Sequence, residues 1–293
     1  MSEGNKRPRV GLALGGGGAR GYAHIGVIRE LRRAGIPIDL VAGTSMGAIV
    51  GSVLAAGLDV DKLEQVIRRL DINKLLSFPQ NALGRLVGRA TSDYLGLHRS
   101  VDWRHSWPEE TQRFEEFIRL LTKGCSFETL KLPFAAVAAD LDTGEQVVLR
   151  SGRLAPAVAA STALPGIRYP VYHQGRFLID GGVVNTLPID VAFELGAEVV
   201  IAVDVSTPLA RGAVTNLDVL FQAEAIVAHE LGQLQLELMR RRHGERLLVL
   251  EPQVTELKML QLNEMDQPIQ AGQAEARRQM PSVRRLTARG RAA

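Results

Sequence analysis

Two apolar runs near the start of the chain are each followed by a glycine-rich turn and then a helical pattern. Val10–Leu14 precedes Gly15–Gly18, and Ile38–Ala42 precedes Gly43–Gly47. Buried strands that alternate with helices are typical of α/β folds, in which parallel strands form a central sheet. The opening of the chain therefore restricts the fold to this class.

Later parts of the chain extend the pattern. Apolar runs flank turns at 142–145 and 173–176, which indicates two β-hairpins. The stretch 71–108, with Trp103 and Trp107, is irregular and is interpreted as a cap over a site. We predict a three-layer α/β/α sandwich with a mostly parallel central sheet and an irregular cap. The sequence predicts further helices at about 61–70, 109–122, 154–161, 189–195, 216–240 and 267–279, and further strands at 134–139, 146–150, 177–179, 199–205 and 246–250.

The 293 residues are expected to form one domain with decorations. Hydrophobic residues make up 46% and charged residues 23% of the chain, which is typical of globular proteins and excludes overall disorder. We assign 1–9 to a basic extension, 10–206 to the core with its cap, 207–275 to a completion of the same domain, and 276–293 to an arginine-rich tail.

Cysteine content and hydrophobicity bear on location. The single cysteine, Cys125, excludes an intrachain disulfide and favours a reducing, cytoplasmic setting. No signal peptide is expected, because glycines interrupt the apolar run that begins at Val10. The uncharged segment Leu40–Leu58 approaches the length of a membrane span, but its glycines and Ser45 favour a strand, a turn and a helix. The sequence leaves the oligomeric state open.

The net charge of +3 conceals a basic end, because 276–293 contains six arginines and no acid. Such runs are usually solvated, poorly ordered ends, and they can also contact anionic lipid head groups at a membrane surface. No nucleic-acid function is expected from this tail.

The turn Gly43-Thr44-Ser45-Met46-Gly47 fits the GxSxG pattern and lies between a predicted strand and a predicted helix. In this context the serine occupies a sharp turn that presents its hydroxyl at a helix N-terminus. The helix dipole there favours developing negative charge. Ser45 is therefore a candidate nucleophile, and Gly43 and Gly47 are expected to relieve crowding around it. The structural alternative is a buried turn with an incidental serine.

The sequence GGGGARG also joins a predicted strand to a predicted helix. The amides of Gly16, Gly17 and Gly18 are expected to be unobstructed, which suits either a phosphate or the oxyanion of a tetrahedral intermediate. Arg20 adds a positive charge. The structural alternative is a tight turn that packs a helix closely against a sheet.

The same loop also matches GxGxxG through Gly16, Gly18 and Gly21. Asp39 follows at about the position of a dinucleotide ribose partner. A dinucleotide-binding or regulatory protein is therefore an alternative, although it leaves the serine turn unexplained.

Asp180-Gly181-Gly182 follows another predicted strand. The paired glycines leave space around the carboxylate, so that it can approach another group closely. A DGG sequence taken alone usually marks only a turn.

The strings GGGGARG, GTSMG, ASTALPG at Ala160–Gly166, and DGG, in this order, resemble the patatin-like phospholipases. This family includes plant storage acyl hydrolases and bacterial lysophospholipase-like proteins, and the resemblance covers about Val10–Ser206. It implies a Ser–Asp dyad in which Ser45 attacks an ester carbonyl and Asp180 accepts its proton. It also implies that the amides of the glycine loop, with Arg20, hold the oxyanion.

The resemblance implies a serine acyl hydrolase of the phospholipase A or lysophospholipase type, which acts on lipid esters without a metal or cofactor. An acyltransferase or thioesterase that uses the same serine is the alternative among enzymes. Arg168-Tyr169 departs from the apolar residues usual in relatives, which puts acyl-chain preference in doubt. His229 and His243, the histidines that follow Asp180, are expected to be exposed or packing residues.

Overall fold

The computed structural model describes residues 7–69, 108–206, 216–254, 257 and 261–288. Eight strands of the described chain form one central sheet. They are β1 Val10–Leu14, β2 Leu40–Thr44, β3 Phe134–Asp140, β4 Gln146–Leu149, β5 Val171–His173, β6 Arg176–Asp180, β7 Val199–Val203 and β8 Leu247–Leu250. The predicted cap at 71–108 falls, apart from its last residue, outside the described ranges.

Helices of three to eight turns, together with shorter ones, connect these strands. They are α1 Ala23–Arg33, α2 Met46–Ala55, α3 Val60–Arg69, α4 Glu109–Leu121, α5 Leu154–Ser161, α6 Ile189–Glu194, α7 Asn216–His243 and α8 Asp266–Ala288. Single 3₁₀ turns cover Gly18–Tyr22, Phe127–Thr129, Gly181–Val183 and Gly244–Arg246. None of the described helices combines the length and the apolar character that crossing a bilayer requires.

The sheet has the order β5-β6-β3-β2-β1-β7-β8, with β4 also paired to β3. The pairs β1–β2, β1–β7, β2–β3 and β7–β8 are parallel. The pairs β3–β4, β3–β6 and β5–β6 are antiparallel. The prediction of a mostly parallel α/β sheet is therefore confirmed, and the antiparallel part contains the two predicted hairpins.

The pairing of β3 brings the ends of two other strands together. Along one edge of β3, β4 pairs with both Val137 and Ala138. On the other edge Val137 pairs with Thr44, the last residue of β2, and Ala138 pairs with Asp180, the last residue of β6. A strand has only two edges, so β2 and β6 share one edge and their carboxyl ends meet there.

Apolar clusters cover both faces of the sheet. In β1, Leu12 and Leu14 belong to one cluster and Ala13 to the other, as the alternation of side chains along a strand requires. Helices α1, α2, α3, α4, α5 and α8 contribute to the first cluster. Helices α6 and α7 contribute to the second. The arrangement gives the three layers that the sequence predicts.

The last helix is longer than the sequence predicts. It ends at Ala288 rather than near Gln279, and it continues through Pro281. Its final turns bury Val283 and Leu286 in the core, and this packing outweighs the poor helix propensity of proline. The expectation of a poorly ordered end is therefore wrong for 276–288.

Candidate active site

Ser45 lies between β2 and α2, in the sharp turn that the GxSxG pattern predicts. Its φ of 53° and ψ of −121° fall in a region that residues other than glycine rarely adopt. Ser45 is half-buried, whereas Thr44 and Met46 on either side are buried. The turn therefore presents Ser45 at the N-terminus of α2, where the helix dipole favours negative charge.

Gly43 and Gly47 are required by close backbone packing around this turn. A Cβ on Gly43 would lie 2.5 Å from the carbonyl oxygen of Gly47. A Cβ on Gly47 would lie 2.1 Å from the carbonyl oxygen of Leu14 in β1. The first turn of α2 can therefore approach the sheet only because both residues lack a side chain.

The glycine loop runs directly beside Ser45. A Cβ on Gly16 would lie 3.2 Å from the Cβ of Ser45. The amide of Gly16 donates a 2.9 Å hydrogen bond to the carbonyl of Thr186, so it is already used. Within the described residues, the amides of Gly17 and Gly18 donate to no protein group. Of the three amides predicted to bind an oxyanion, only those of Gly17 and Gly18 are therefore available as donors.

Arg20 and Gly21 serve this loop in different ways. The buried Arg20 guanidinium donates to the carbonyls of Val205 and Val254, which follow β7 and β8. A Cβ on Gly21 would lie 2.4 Å from Cγ of Met46, so Gly21 allows close contact with the serine turn. The contacts of Arg20 hold the loop in place, and its part in binding an oxyanion stays a prediction.

Asp180 is the last residue of β6 and is 3% exposed. Its Oδ1 accepts a 2.8 Å hydrogen bond from the amide of Gly182, and its own amide donates to the carbonyl of Ala163 at 2.9 Å. A Cβ on Gly181 would lie 2.3 Å from the carbonyl oxygen of Val137. The glycine after Asp180 therefore lets the chain turn sharply against β3.

Ser45 and Asp180 adjoin the same face of the sheet. Paired residues on neighbouring strands point to the same side, so the Asp180 side chain lies with that of Ala138, in the cluster that α2 and α5 cover. The amide of Ser45 donates to Oγ of Ser161, at the end of α5, over 3.1 Å. The structure thus brings the predicted nucleophile and base to one face, where the ends of β2 and β6 meet.

Two positioning residues were missed by the sequence analysis. Oγ of Ser161 donates a 2.6 Å hydrogen bond to the carbonyl of Val137, which fixes it as an acceptor for the Ser45 amide. The backbone amide of Asn185 donates to the carbonyl of Gly181, and the backbone carbonyl of Asn185 accepts a hydrogen bond from Oγ1 of Thr44. A polar residue within ASTALPG was a usable signal for Ser161, but none marked Asn185.

His24 is a third residue that sequence reasoning did not consider. Its Nε2 lies 2.8 Å from the carbonyl oxygen of Gly15, at the start of the glycine loop. Burial lowers the pKa of His24 to about 4, so the ring is neutral near pH 7 and Nε2 donates to this carbonyl. His24 therefore supports the loop rather than exchanging protons with a substrate.

The two histidines after Asp180 lie on the α6 and α7 side of the molecule. The ring of His243 stacks on Phe193 with centroids 3.6 Å apart, and His229 is half-buried on α7. The stacking of His243 on Phe193 agrees with the prediction that His243 is an exposed or packing residue.

Asp39, the residue that a dinucleotide site would need for the ribose, is already hydrogen-bonded within the protein. Both carboxylate oxygens of Asp39 accept hydrogen bonds from Arg7, at 2.6 and 2.8 Å, and the amide of Val10 donates to one of them at 2.7 Å. Asp39 therefore holds the start of β1 and is not presented to a ribose.

The described residues also bear on two other kinds of site, a surface pocket and a metal centre. A surface pocket of about 330 Å³ is lined by α4 and Arg153, and none of the sequence-predicted site residues lines it. In the described ranges, no group of three or more histidine, cysteine, aspartate or glutamate residues has the spacing of a metal site.

Fold and contacts together define a class: an α/β sandwich with a serine in a GxSxG turn, a glycine-rich loop beside it, and a DGG aspartate at the adjoining strand end. The sequence model of the patatin-like phospholipases matches residues 12–193. This chain belongs to the patatin-like phospholipase family.

Individual relatives match about two thirds of this chain. An uncharacterized NTE family protein of Mycobacterium tuberculosis is 38% identical over 205 residues, which is 69% of this chain and 51% of that protein. Human patatin-like phospholipase domain-containing protein 6 is 34% identical over 200 residues, which is 68% of this chain and 13% of that protein. The chain therefore spans about half or less of the length of these relatives.

Two solved structures resemble the fold at low sequence identity. ExoU of Pseudomonas aeruginosa, solved in complex with SpcU, is 16% identical with a TM-score of 0.49, over 96% of this chain and 53% of that one. VipD of Legionella pneumophila is 15% identical with a TM-score of 0.43, over 92% of this chain and 67% of that one.

Proposed function

We propose that this chain is a serine acyl hydrolase that cleaves carboxylic esters of lipids through Ser45 and Asp180. The main support is the meeting of the carboxyl ends of β2 and β6 on one edge of β3, beside the glycine loop. Family membership supports a lipid ester as the substrate class.

In the proposed reaction, Oγ of Ser45 attacks the ester carbonyl carbon while the Asp180 carboxylate takes its proton. Negative charge forms on the carbonyl oxygen, where the amides of Gly17 and Gly18 and the N-terminus of α2 stabilise it. Collapse breaks the ester C–O bond, and the alcohol leaves with the proton from Asp180. Water then attacks the acyl carbon and gives its proton to Asp180; the bond between that carbon and Oγ of Ser45 breaks, Asp180 returns the proton to Oγ, and the fatty acid is released.

An aspartate is by its ordinary pKa a weak base for an alcohol. Two features of the site reduce this difficulty. Asp180 is almost fully buried, so bulk water competes little for its carboxylate. The α2 N-terminus at Ser45 lowers the energy of the alkoxide that the transfer produces.

The test is covalent labelling by a fluorophosphonate, with hydrolysis of a p-nitrophenyl ester measured in parallel. We expect Ser45→Ala to abolish labelling and Asp180→Asn to slow it by about 10²-fold or more, as loss of a general base does. His229→Gln and His243→Gln serve as controls and should keep wild-type rates. Labelling of Ser45→Ala, or a loss on removing either histidine, would contradict the dyad.

Membrane contact and cellular location are less well supported than the reaction. Arginine-rich ends can contact anionic membranes, but in this chain Arg277 is paired with Glu30 and Arg278 with Glu275. Cytoplasmic location stays a prediction from cysteine content.

A further inference from the structure

Arg168 is a buried cation in the loop between α5 and β5, and the reaction described above does not use it. Only 7% of its surface is exposed. A buried guanidinium needs compensating contacts, because its removal from water is costly. The contacts of Arg168 therefore indicate its role.

Direct contacts leave one end of the guanidinium unpaired. Cζ of Arg168 lies 3.9 Å from the centroid of the Phe114 ring on α4, a cation–π contact. Nη1 donates to Oγ1 of Thr162 at 3.0 Å. Nη2 has no hydrogen-bond partner among the described residues. Neutral groups thus hold the side chain without neutralising it.

The segment that anchors Arg168 also anchors Asp180. The carbonyl of Ala163 accepts the Asp180 amide, while Thr162 and Leu164 on either side of it accept hydrogen bonds from Arg168. The cation and the proposed base are therefore held by three consecutive residues. The backbones of Arg168 and Asp180 are thus fixed by neighbouring carbonyls, and the Thr162 hydroxyl orients the guanidinium.

Three carboxylates act on Arg168 through their charges: Glu110 and Glu115 from α4, and Asp180 from β6. Burial lowers the pKa of Arg168 to about 10, so it is still a cation at neutral pH. Burial also raises the pKa of Glu115, which has Arg153 as a second cationic neighbour.

We propose that Arg168 is a positioning residue that keeps the buried Asp180 ionised and ready to accept the Ser45 proton. This inference rests on the proposed dyad. A carboxyl group removed from water favours its neutral form, which cannot accept a proton, whereas a nearby fixed cation favours the charged form. Arg168 supplies this charge from a position that touches no reacting atom.

The experiment measures the second-order rate constant of fluorophosphonate labelling from acid to alkaline pH. In Arg168→Met the acidic limb should move to higher pH by about one unit or more, the effect expected on loss of an arginine beside a carboxylate. Below the limb, the rate should fall about tenfold for each unit of that shift. At alkaline pH it should approach the wild-type rate.

Three variants accompany Arg168→Met. Arg168→Lys keeps the charge and should restore most of the wild-type profile. Thr162→Val removes the Nη1 contact while keeping the cation, and should shift the limb in the same direction by less; it also provides a reading if Arg168→Met does not fold. Arg176→Met is the matched control, since Arg176 lies on β6 but pairs with Asp140 and Glu145. Its profile should superimpose on that of the wild type.

An unchanged limb in both Arg168→Met and Thr162→Val would overturn the inference. So would a loss of kcat/KM confined to a lysophospholipid at every pH, with p-nitrophenyl butyrate unaffected, because Arg168 would then bind a phosphate head group. Absence of labelling in the wild type would instead overturn the proposed function, and this inference with it.

Discussion

Ser45, the proposed nucleophile, has a backbone conformation that suits glycine better than serine. Residues other than glycine pay about 1–3 kcal/mol in this region, while glycine costs roughly 0.5–1 kcal/mol in unfolded-state entropy. We therefore expect Ser45→Gly to be more stable than Ser45→Ala by about 1 kcal/mol in urea unfolding. Equal stabilities of these two inactive variants would show that the turn is unstrained.

His24 gives the native state a pH dependence. Its pKa of about 4 in the fold lies below the ordinary 6.5, so the unfolded chain takes up the proton first as the pH falls. The contribution of His24 to stability is complete above pH 6.5 and is lost progressively from about pH 6.5 to about pH 4.

This loss amounts to about 2 kcal/mol between pH 7 and pH 5. We expect His24→Gln, which keeps a donor for the Gly15 carbonyl, to lose less unfolding free energy over this interval than the wild type. Urea titrations at the two pH values measure the difference. A parallel loss in both proteins would assign the dependence to other groups.

Sequence reasoning selected candidates whose type and local motif are distinctive, and it missed residues whose contacts depend on tertiary structure. Ser45 and Asp180 lie in short motifs at strand ends, so both could be predicted. Ser161 and Asn185 became visible only once the pairing of β3 was known, because their partners are distant in sequence. For the same reason the sequence does not show that the Gly16 amide is hydrogen-bonded to the carbonyl of Thr186, 170 residues away.

At the level of elements, α1 and α8 touch through a pair of glycines. A Cβ on Gly26 would lie 2.1 Å from the carbonyl oxygen of Ile269, and one on Gly272 would lie 2.1 Å from that of Ala23. The two helix backbones are therefore in direct contact.

Gly272→Ala should destabilise the protein, because its methyl group would meet backbone that cannot move without separating the helices. We expect a loss of at least about 1–3 kcal/mol, the usual cost of overpacking. Gly232→Ala in α7 is the control, since nothing lies within 4 Å of the added methyl. It should stabilise the protein by about 0.5–1 kcal/mol through helix propensity. Thermal melts of both variants compare the two effects.

Most elements could be predicted because buried strands and amphipathic helices carry regular apolar patterns. The ends of elements were less predictable. The predicted end near Gln279 lies just before Pro281, yet burial of Val283 and Leu286 extends α8 beyond this proline. Local propensity was outweighed by packing that only the folded molecule provides.

Across the whole molecule, the C-terminal part completes the site. Arg20 donates to the carbonyl of Val254, and the buried Tyr22 hydroxyl donates to that of Leu262 at 3.0 Å. Deletion of 266–293 removes α8, which packs against α1 through Gly26 and Gly272, and so exposes the apolar face of α1. This deletion should remove cooperative unfolding and labelling together. Arg284→Ala, at an exposed position of α8, should change stability by no more than about 0.5 kcal/mol. A deletion variant that still unfolds cooperatively would contradict this account.

The match to the family model ends at residue 193, whereas the glycine loop depends on chain beyond that point. Gly15 donates to the carbonyl of Val203, and Gly17 lies against that of Val205. Grafting the recognised segment into a foreign scaffold would transfer every motif letter but leave these acceptors behind. A chimera of this kind needs a host strand in the place of β7, or its loop amides will have nothing to set their direction.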